Sequence, residues 1–182
     1  MAPRTAVISS ARLLLRTLTA HDAERTLAAS DLDRPAYADG YPSAFATQVL
    51  RLVALYPAID QETDEGAPDL GPWLLLRRSD DAVIGTISCA RTGDPVEVSV
   101  GYDIASSCWG EGYATEALGA VVEHLLGQPD IGRVCAEAKI DHAASRRVME
   151  KSGMRWQRDE VAEHEGREVK LAHYAIDRPE PV

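Results

Sequence analysis

The 182-residue chain is short of cysteine: Cys89, Cys108 and Cys135 are odd in number and show no Cys-x-x-Cys spacing. This argues against a disulfide framework or a cysteine-built zinc site, and the three read as reduced thiols. His142, His164 and His173 fall at irregular intervals, so no metal-ligand pattern emerges and no metal is expected. Cationic side chains are in the minority, 19 Lys and Arg against 29 Asp and Glu, for a formal net charge of −10. Nucleic acid is therefore not an expected partner, because phosphate-backbone binding rests mainly on cations. The acidity is compatible with a cationic substrate, but solubility alone accounts for it equally well. No apolar run approaches the ~20 residues that span a bilayer. Residues 1–10 lack the basic segment and long apolar core of a secretory signal. A cytoplasmic protein with no membrane partner is the expectation.

What is present reads as a single domain over 1–182, with 45% hydrophobic residues and Gly and Pro scattered along the chain. Leu13 to Leu15 suggest a strand between Arg12 and Arg16, and Thr19 or Asp22 can cap a helix running through Leu27. The texture changes from Asp31 to Gly71, where prolines and acids interrupt it. Only Phe45, Val49, Leu52, Val53 and Tyr56 recur there at helical spacing, which predicts one amphipathic helix. Trp73–Leu76 and Val83–Ile87 flank the turn signal Ser79-Asp80-Asp81 and predict a hairpin. The strand over 96–104 follows, with Val96, Val98, Val100, Tyr102 and Ile104 on one face and Glu97, Ser99, Gly101 and Asp103 on the other.

The period then turns helical: Ala114, Ala117, Leu118, Val121, Val122 and Leu125 form an unbroken stripe. A strand over 133–140 precedes a helix that Asp141 can cap and Gly153 can end. Two last strands meet near Glu165-Gly166. The order is β-α-α-β-β-β-α-β-α-β-β, a mixed α/β (α+β) fold. Its sheet is mostly antiparallel, and one β-α-β unit sets strand 96–104 parallel to strand 133–140.

The most informative run is Trp109-Gly110-Glu111-Gly112-Tyr113-Ala114-Thr115-Glu116-Ala117, where a strand leads into a strongly amphipathic helix. Two glycines let the backbone turn sharply and approach a ligand, while the helix offers unpaired N–H groups and its positive dipole end. Together they suit a diphosphate. As a dinucleotide fingerprint the run fails: a third glycine is missing, it follows a β-meander in mid-chain, and no acid closes the next strand at the usual distance. The plainer alternative is a tight strand-to-helix turn.

On these residues the chain resembles the GNAT superfamily of N-acetyltransferases, whose phosphate motif is Gln/Arg-x-x-Gly-x-Gly/Ala. Gly112 and Ala114 fall on its last two fixed positions. The fuller run is similar to the branch of ribosomal-protein N-terminal acetyltransferases, as are Arg12-Leu13-Leu14-Leu15-Arg16, Val83-Ile84-Gly85-Thr86 and the stretch from Ser145 to Met154. The variable part is 31–70, which in such proteins often shapes the acceptor pocket. The resemblance implies acetyl-CoA as co-substrate, held where the two parallel strands splay. Pantetheine would pair beside Tyr102, Asp103 and Ile104, and the diphosphate would sit on Gly110, Gly112, Tyr113, Ala114 and Thr115, with Trp109, a further cofactor-binding candidate, replacing the motif's leading Gln or Arg. Gly101 fits a bulge or close backbone approach near that splay.

An amine acceptor is implied, either a protein N-terminus or a small molecule, and a homodimer is compatible with it. His142 stands where relatives commonly carry Asn and is a candidate pantetheine contact, or equally a surface residue. Arg146, Arg147 and Lys151 are candidates for the adenosine 3′-phosphate, or solvated charges. Met149 takes the place of the Tyr that protonates the thiolate in many members. Ser145 is then the candidate acid, or a helix-start hydroxyl bonding the backbone. Glu97 and Asp103 are the candidate bases, about 20 Å apart along the strand at ~3.3 Å per residue; each is otherwise an ion-paired or solvated carboxylate, with ordered water as base.

Glu111 brings a negative charge into the phosphate loop. Replacing it with Lys is expected to tighten CoA binding by about 1 kcal/mol at low salt, and less as salt is added. Titration calorimetry at two ionic strengths checks this; unchanged or weaker affinity at low salt would show that Glu111 points away from the phosphates.

Overall fold

The structure is a computed structural model and describes residues 7–29, 36–56, 70–164 and 166–179. The acidic run from Asp60 to Asp69 and the Glu165 half of the last turn lie outside them. Among the described residues are eight strands and four helices: β1 Val7–Ser9, β2 Leu13–Thr17, α1 Ala20–Leu27, α2 Ala44–Leu55, β3 Trp73–Arg77, β4 Val83–Arg91, β5 Glu97–Ile104, α3 Tyr113–Leu126, β6 Arg133–Lys139, α4 Ala143–Lys151, β7 Arg155–His164 and β8 Arg167–Asp177. The strands form one sheet in the order β1-β2-β3-β4-β5-β6-β8-β7. Every neighbouring pair is antiparallel except β5 and β6. This is the mixed fold expected. None of these helices is long and apolar enough to cross a membrane.

Local chemistry accounts for most boundaries. Thr19 and Asp22, offered as alternative caps, act together in a capping box: the Asp22 N–H donates to Thr19 Oγ1, and the Thr19 N–H donates to Asp22 Oδ2, both at 3.1 Å. Arg16 adds a bidentate pair to the same carboxylate at 2.7 and 2.9 Å. Gly153 ends α4 at φ +88°, and the Met154 N–H reaches back to the Met149 carbonyl.

Two expectations need correction. Asp141 does not cap α4. A tight turn, with the His142 N–H donating to the Lys139 carbonyl, delays the helix start, so His142 is the N-cap and offers no side-chain bond. The sheet also gains β1, whose three residues are too few for a readable period and are held by pairing with β2.

The helices divide between the two sheet faces, and β5 shows how. Its odd-numbered side chains face α2: Gly101 lies under the Phe45 ring, and Ser43 stands beside Asp103. Its even-numbered side chains, including the buried Val98 and Val100, face α3 and α4. Leu13, Leu15, Trp73, Leu75, Ile84 and Ile87 join Leu118 and Leu125 of α3 among the fully buried side chains.

The β4–β5 register is regular through Gly101, so this glycine marks close approach rather than a bulge. A Cβ there would stand 2.8 Å from Phe45 Cζ. Gly101→Ala should therefore lower stability by about 1 kcal/mol, the low end for overpacking because the half-buried Phe45 ring can swing. Urea unfolding of the variant, and of the same change combined with Phe45→Leu, tests this. Equal losses in both would remove the ring as the cause.

Candidate active site

Beyond Ile104 the chain makes a single 3-10 turn, Ser106–Cys108, and then enters the glycine loop. Gly110 and Gly112 both adopt φ +81°, a left-handed conformation that side chains resist. A Cβ at Gly110 would meet nothing within 4 Å, and one at Gly112 only the Arg12 guanidinium at 3.6 Å. Gly112 is the N-cap of α3 and no side chain caps that helix. The first N–H groups of Tyr113, Ala114 and Thr115 thus have no intrahelical acceptor.

The loop is held in place from a distant part of the chain. Glu116, in the first turn of α3, accepts from Ser10 Oγ, from the Arg12 N–H and from Arg12 Nε, each at 2.7 Å. Burial opposes its charge, but these hydrogen bonds outweigh burial and leave the carboxyl below its ordinary range. Arg12 also donates to the Glu111 carbonyl at 2.9 Å and lies 4.4 Å above the Tyr113 ring. The Arg12–Glu116 strut was not singled out as functional from the sequence, although both residues lie in runs that carried the resemblance. Beside it a concavity of about 330 Å³ is lined by Ala11, Arg12, Arg77, Arg78, Ser79 and Tyr113. Three guanidinium groups therefore stand next to the positive end of α3.

Behind the loop the sheet opens. β5 and β6 pair only over Glu97–Ser99 with Arg133–Cys135, although β5 continues along β4 to Ile104 and β6 along β8 to Lys139. The Glu97 carbonyl accepts from Thr92, and the Ala105 N–H donates to Ile84, so odd-numbered backbone groups of this strand serve β4. Even-numbered groups turn the other way, as at Val96, whose carbonyl accepts from Gly132 and Arg133. Past Ser99, the backbone of Tyr102 and the N–H of Ile104 therefore face the gap. The Ile104 carbonyl is taken by the indole N–H of Trp109 at 2.7 Å, with that side chain 71% exposed.

The candidate acids and bases fall in distinct surroundings. Tyr102 and Ser145 meet: the phenol donates to the Ser145 carbonyl at 3.1 Å and lies 3.0 Å from Ser145 Oγ. Burial pushes the phenol pKa up. Asp103, on the opposite face, accepts the Thr86 N–H on Oδ1 at 3.2 Å, while its buried Oδ2 meets no hydrogen-bond partner. Burial pushes this carboxyl up to about 6, against the lowering effect of Ser43 and the Thr86 N–H.

Glu97 stands at the paired end of β5, 3.0 Å from Arg133 Nε and accepting from Thr92 Oγ1 at 3.0 Å. The structure does not bring it to Asp103. His142, Arg147 and Lys151 are exposed on α4, whereas Arg146 turns inward to Tyr174 Oη and the Ile140 carbonyl, both at 3.1 Å. Met149 is fully buried.

The arrangement fits an extended, amide-bearing ligand with a phosphate end: a strand edge for its amides, and a glycine loop and helix terminus for its phosphates. Residues 12–155 match the family model of the acetyltransferase (GNAT) domain. Among known proteins, the chain is 28% identical over 149 residues to an uncharacterised N-acetyltransferase, YoaA, of Bacillus subtilis (strain 168), covering 81% of each. A GNAT-family acetyltransferase from Bacillus anthracis superposes with a TM-score of 0.68 at 22% identity, over 95% of this chain and 99% of that one. RimL, a ribosomal L7/L12 α-N-protein acetyltransferase solved with coenzyme A, gives 0.69 at 18% identity, over 94% and 98%. The chain belongs to the GNAT acetyltransferase family and is an acetyltransferase enzyme.

Replacing Gly112 with Val should weaken CoA binding at least about tenfold, because the new side chain strains a left-handed residue and crowds the approach to the α3 amides. Affinity is to be measured on protein whose unfolding midpoint matches the parent's. Binding as tight as the parent's would move the phosphates elsewhere.

Proposed function

We propose that the chain transfers acetyl from acetyl-CoA to a primary amine by direct attack in a ternary complex. The observation that carries this reading is the gap between β5 and β6, whose free backbone edge leads from the glycine loop into the sheet. Tyr102 and Ile104 offer backbone partners to the pantetheine amides, and Gly110, Gly112, Tyr113, Ala114 and Thr115 hold the diphosphate. Arg12, Arg77 and Arg78 supply positive potential beside it. Bound acetyl-CoA provides the thioester carbonyl that the amine attacks.

Asp103 acts from the α2 face. Its Oδ2, which meets no hydrogen-bond partner, is the group that takes the amine's proton. Glu97 is committed to Arg133, so the base role falls to Asp103. The acceptor is a protein N-terminus or a small amine. The first is favoured by the likeness to a ribosomal-protein acetyltransferase. A second reading, an acyl-CoA-binding module without turnover, draws on the burial of Met149 where many relatives carry their acidic Tyr.

Free-thiol release measured with acetyl-CoA against peptides and small amines separates these readings. Turnover with at least one amine supports transfer, and binding without any release supports the module. With an active amine, kcat/KM should rise as pH passes through about 6, because Asp103 must be ionised to accept a proton; Asp103→Asn should abolish that rise.

Stability should move the other way. The folded carboxyl holds its proton to about pH 6 and the unfolded one only to about 4, so Asp103 costs stability as pH rises through that window. Asp103→Asn should thus be relatively more stable at pH 8 than at pH 4. An unaltered pH profile in the variant would remove Asp103 as base.

A further inference from the structure

The proposed transfer needs a proton for the departing thiolate, and α4 does not present the tyrosine that many members of the family use. Position 149 is Met and lies in the core. The structure instead carries a phenol from the neighbouring strand. Tyr102 lies on the part of β5 that β6 no longer pairs, and its side chain leaves on the α4 face. The phenol reaches across to the first turn of α4, where its oxygen lies 3.0 Å from Ser145 Oγ and 3.1 Å from the Ser145 carbonyl. We infer that the Tyr102 hydroxyl, held by Ser145 beside the parted strands, is the proton donor to the thiolate. This rests on the acetyl-transfer reading above and assigns the leaving-group half of it.

Three considerations single out the phenol rather than the serine. Proton transfer from the phenol to a thiolate is uphill, the more so because burial pushes this phenol's pKa up, but an aliphatic hydroxyl is a far weaker acid still. Ser145 Oγ–H can donate to the phenol oxygen, which leaves the single phenolic proton free to turn from the Ser145 carbonyl to sulfur and offsets the negative charge that forms on the phenol oxygen. Burial keeps the proton on the phenol until sulfur departs. Consecutive strand residues also point to opposite faces, so Tyr102 and Asp103 flank the gap from its two sides.

The step balances. The amine nitrogen bonds to the carbonyl carbon, the carbon–sulfur bond breaks with its electron pair on sulfur, and sulfur takes the phenolic proton. The surplus proton on nitrogen passes to Asp103. The Tyr102 oxygen regains a proton from solvent through Ser145 Oγ, and Asp103 releases its own to solvent. Ser145 is then a positioning residue.

Tyr102→Phe keeps the ring and removes the hydroxyl. It should lower kcat about 100-fold while CoA affinity stays within about twofold of the parent's. Ser145→Ala should cost about tenfold or less, because the main-chain carbonyl still anchors the phenol. A second readout needs no turnover: the thiol of bound CoA, followed by the ultraviolet absorbance of the thiolate, should ionise at higher pH in Tyr102→Phe than in the parent. Turnover of Tyr102→Phe within threefold of the parent's would overturn the inference. So would a larger loss in Ser145→Ala than in Tyr102→Phe, or identical thiol titrations in parent and Tyr102→Phe. A parent that acetylates no amine refutes the transfer reading instead, and the titration still decides whether the phenol touches sulfur.

Discussion

Two parallel strands that separate inside a sheet leave backbone groups facing a gap, and such groups need partners as much as any others. In this protein the gap cannot close by sliding. β5 is bonded along its other edge to β4 for its full length, and β6 likewise to β8. Each strand is pinned by its outer ladder, and the pair is joined only at its start, where Glu97–Ser99 meet Arg133–Cys135. The Glu97–Arg133 ion pair lies at that joined end. Its position makes Glu97 part of the hinge of the wedge, well away from the wedge's mouth.

The rest of the site follows from that wedge. β5 and β6 are joined by α3, so the chain must turn sharply at the open end of β5 to begin the helix. The two left-handed glycines make this turn possible. The helix N-terminus, with its uncapped amides, consequently opens at the mouth of the gap. A chain with a net charge of −10 still gathers three guanidinium groups there, two of them ion-paired, Arg12 to Glu116 and Arg77 to Asp80. Arg12 is drawn in by Glu116, while Arg78 donates to the Ser10 and Leu13 carbonyls, both at 3.1 Å. These bonds orient the guanidinium groups, so local placement counts for more than total charge.

Much of this was legible in the sequence because periodicity reports which face a residue occupies. The stripe from Ala114 to Leu125, the alternation along β5 and the glycine pair each describe local geometry. What periodicity cannot report is the partner. Arg12 and Glu116 are 104 positions apart, Tyr102 and Ser145 43 apart. Nothing in the chain between them indicates that either pair meets. The same limit explains Glu97 and Asp103, which share a face and a residue class. Only Arg133, brought alongside by the crossover, distinguishes the occupied carboxylate from the one with an orphan oxygen. Asp141 shows a smaller version of the problem, since a local turn shifted the helix start by a residue that composition does not specify.

The burial of Met149 then becomes part of a consistent layout rather than a loss. Ser145 and Met149 are one turn apart on the same side of α4, which packs that side toward the sheet and α3. With Met149 fully enclosed, α4 meets Tyr102 of β5 through its first turn, at Ser145. In the acid role proposed for it, the tyrosine reaching out from β5 has a stiffer support. Its backbone is locked in register opposite Ile87, and its hydroxyl is tied at the far end to α4. A side chain fixed at both ends loses little further freedom when a ligand enters, which is the condition for a preorganised group. On the proposed reading, the strand whose free edge meets the ligand also carries the acid and the base on its two faces, so that the parting of β5 from β6 positions binding and chemistry together.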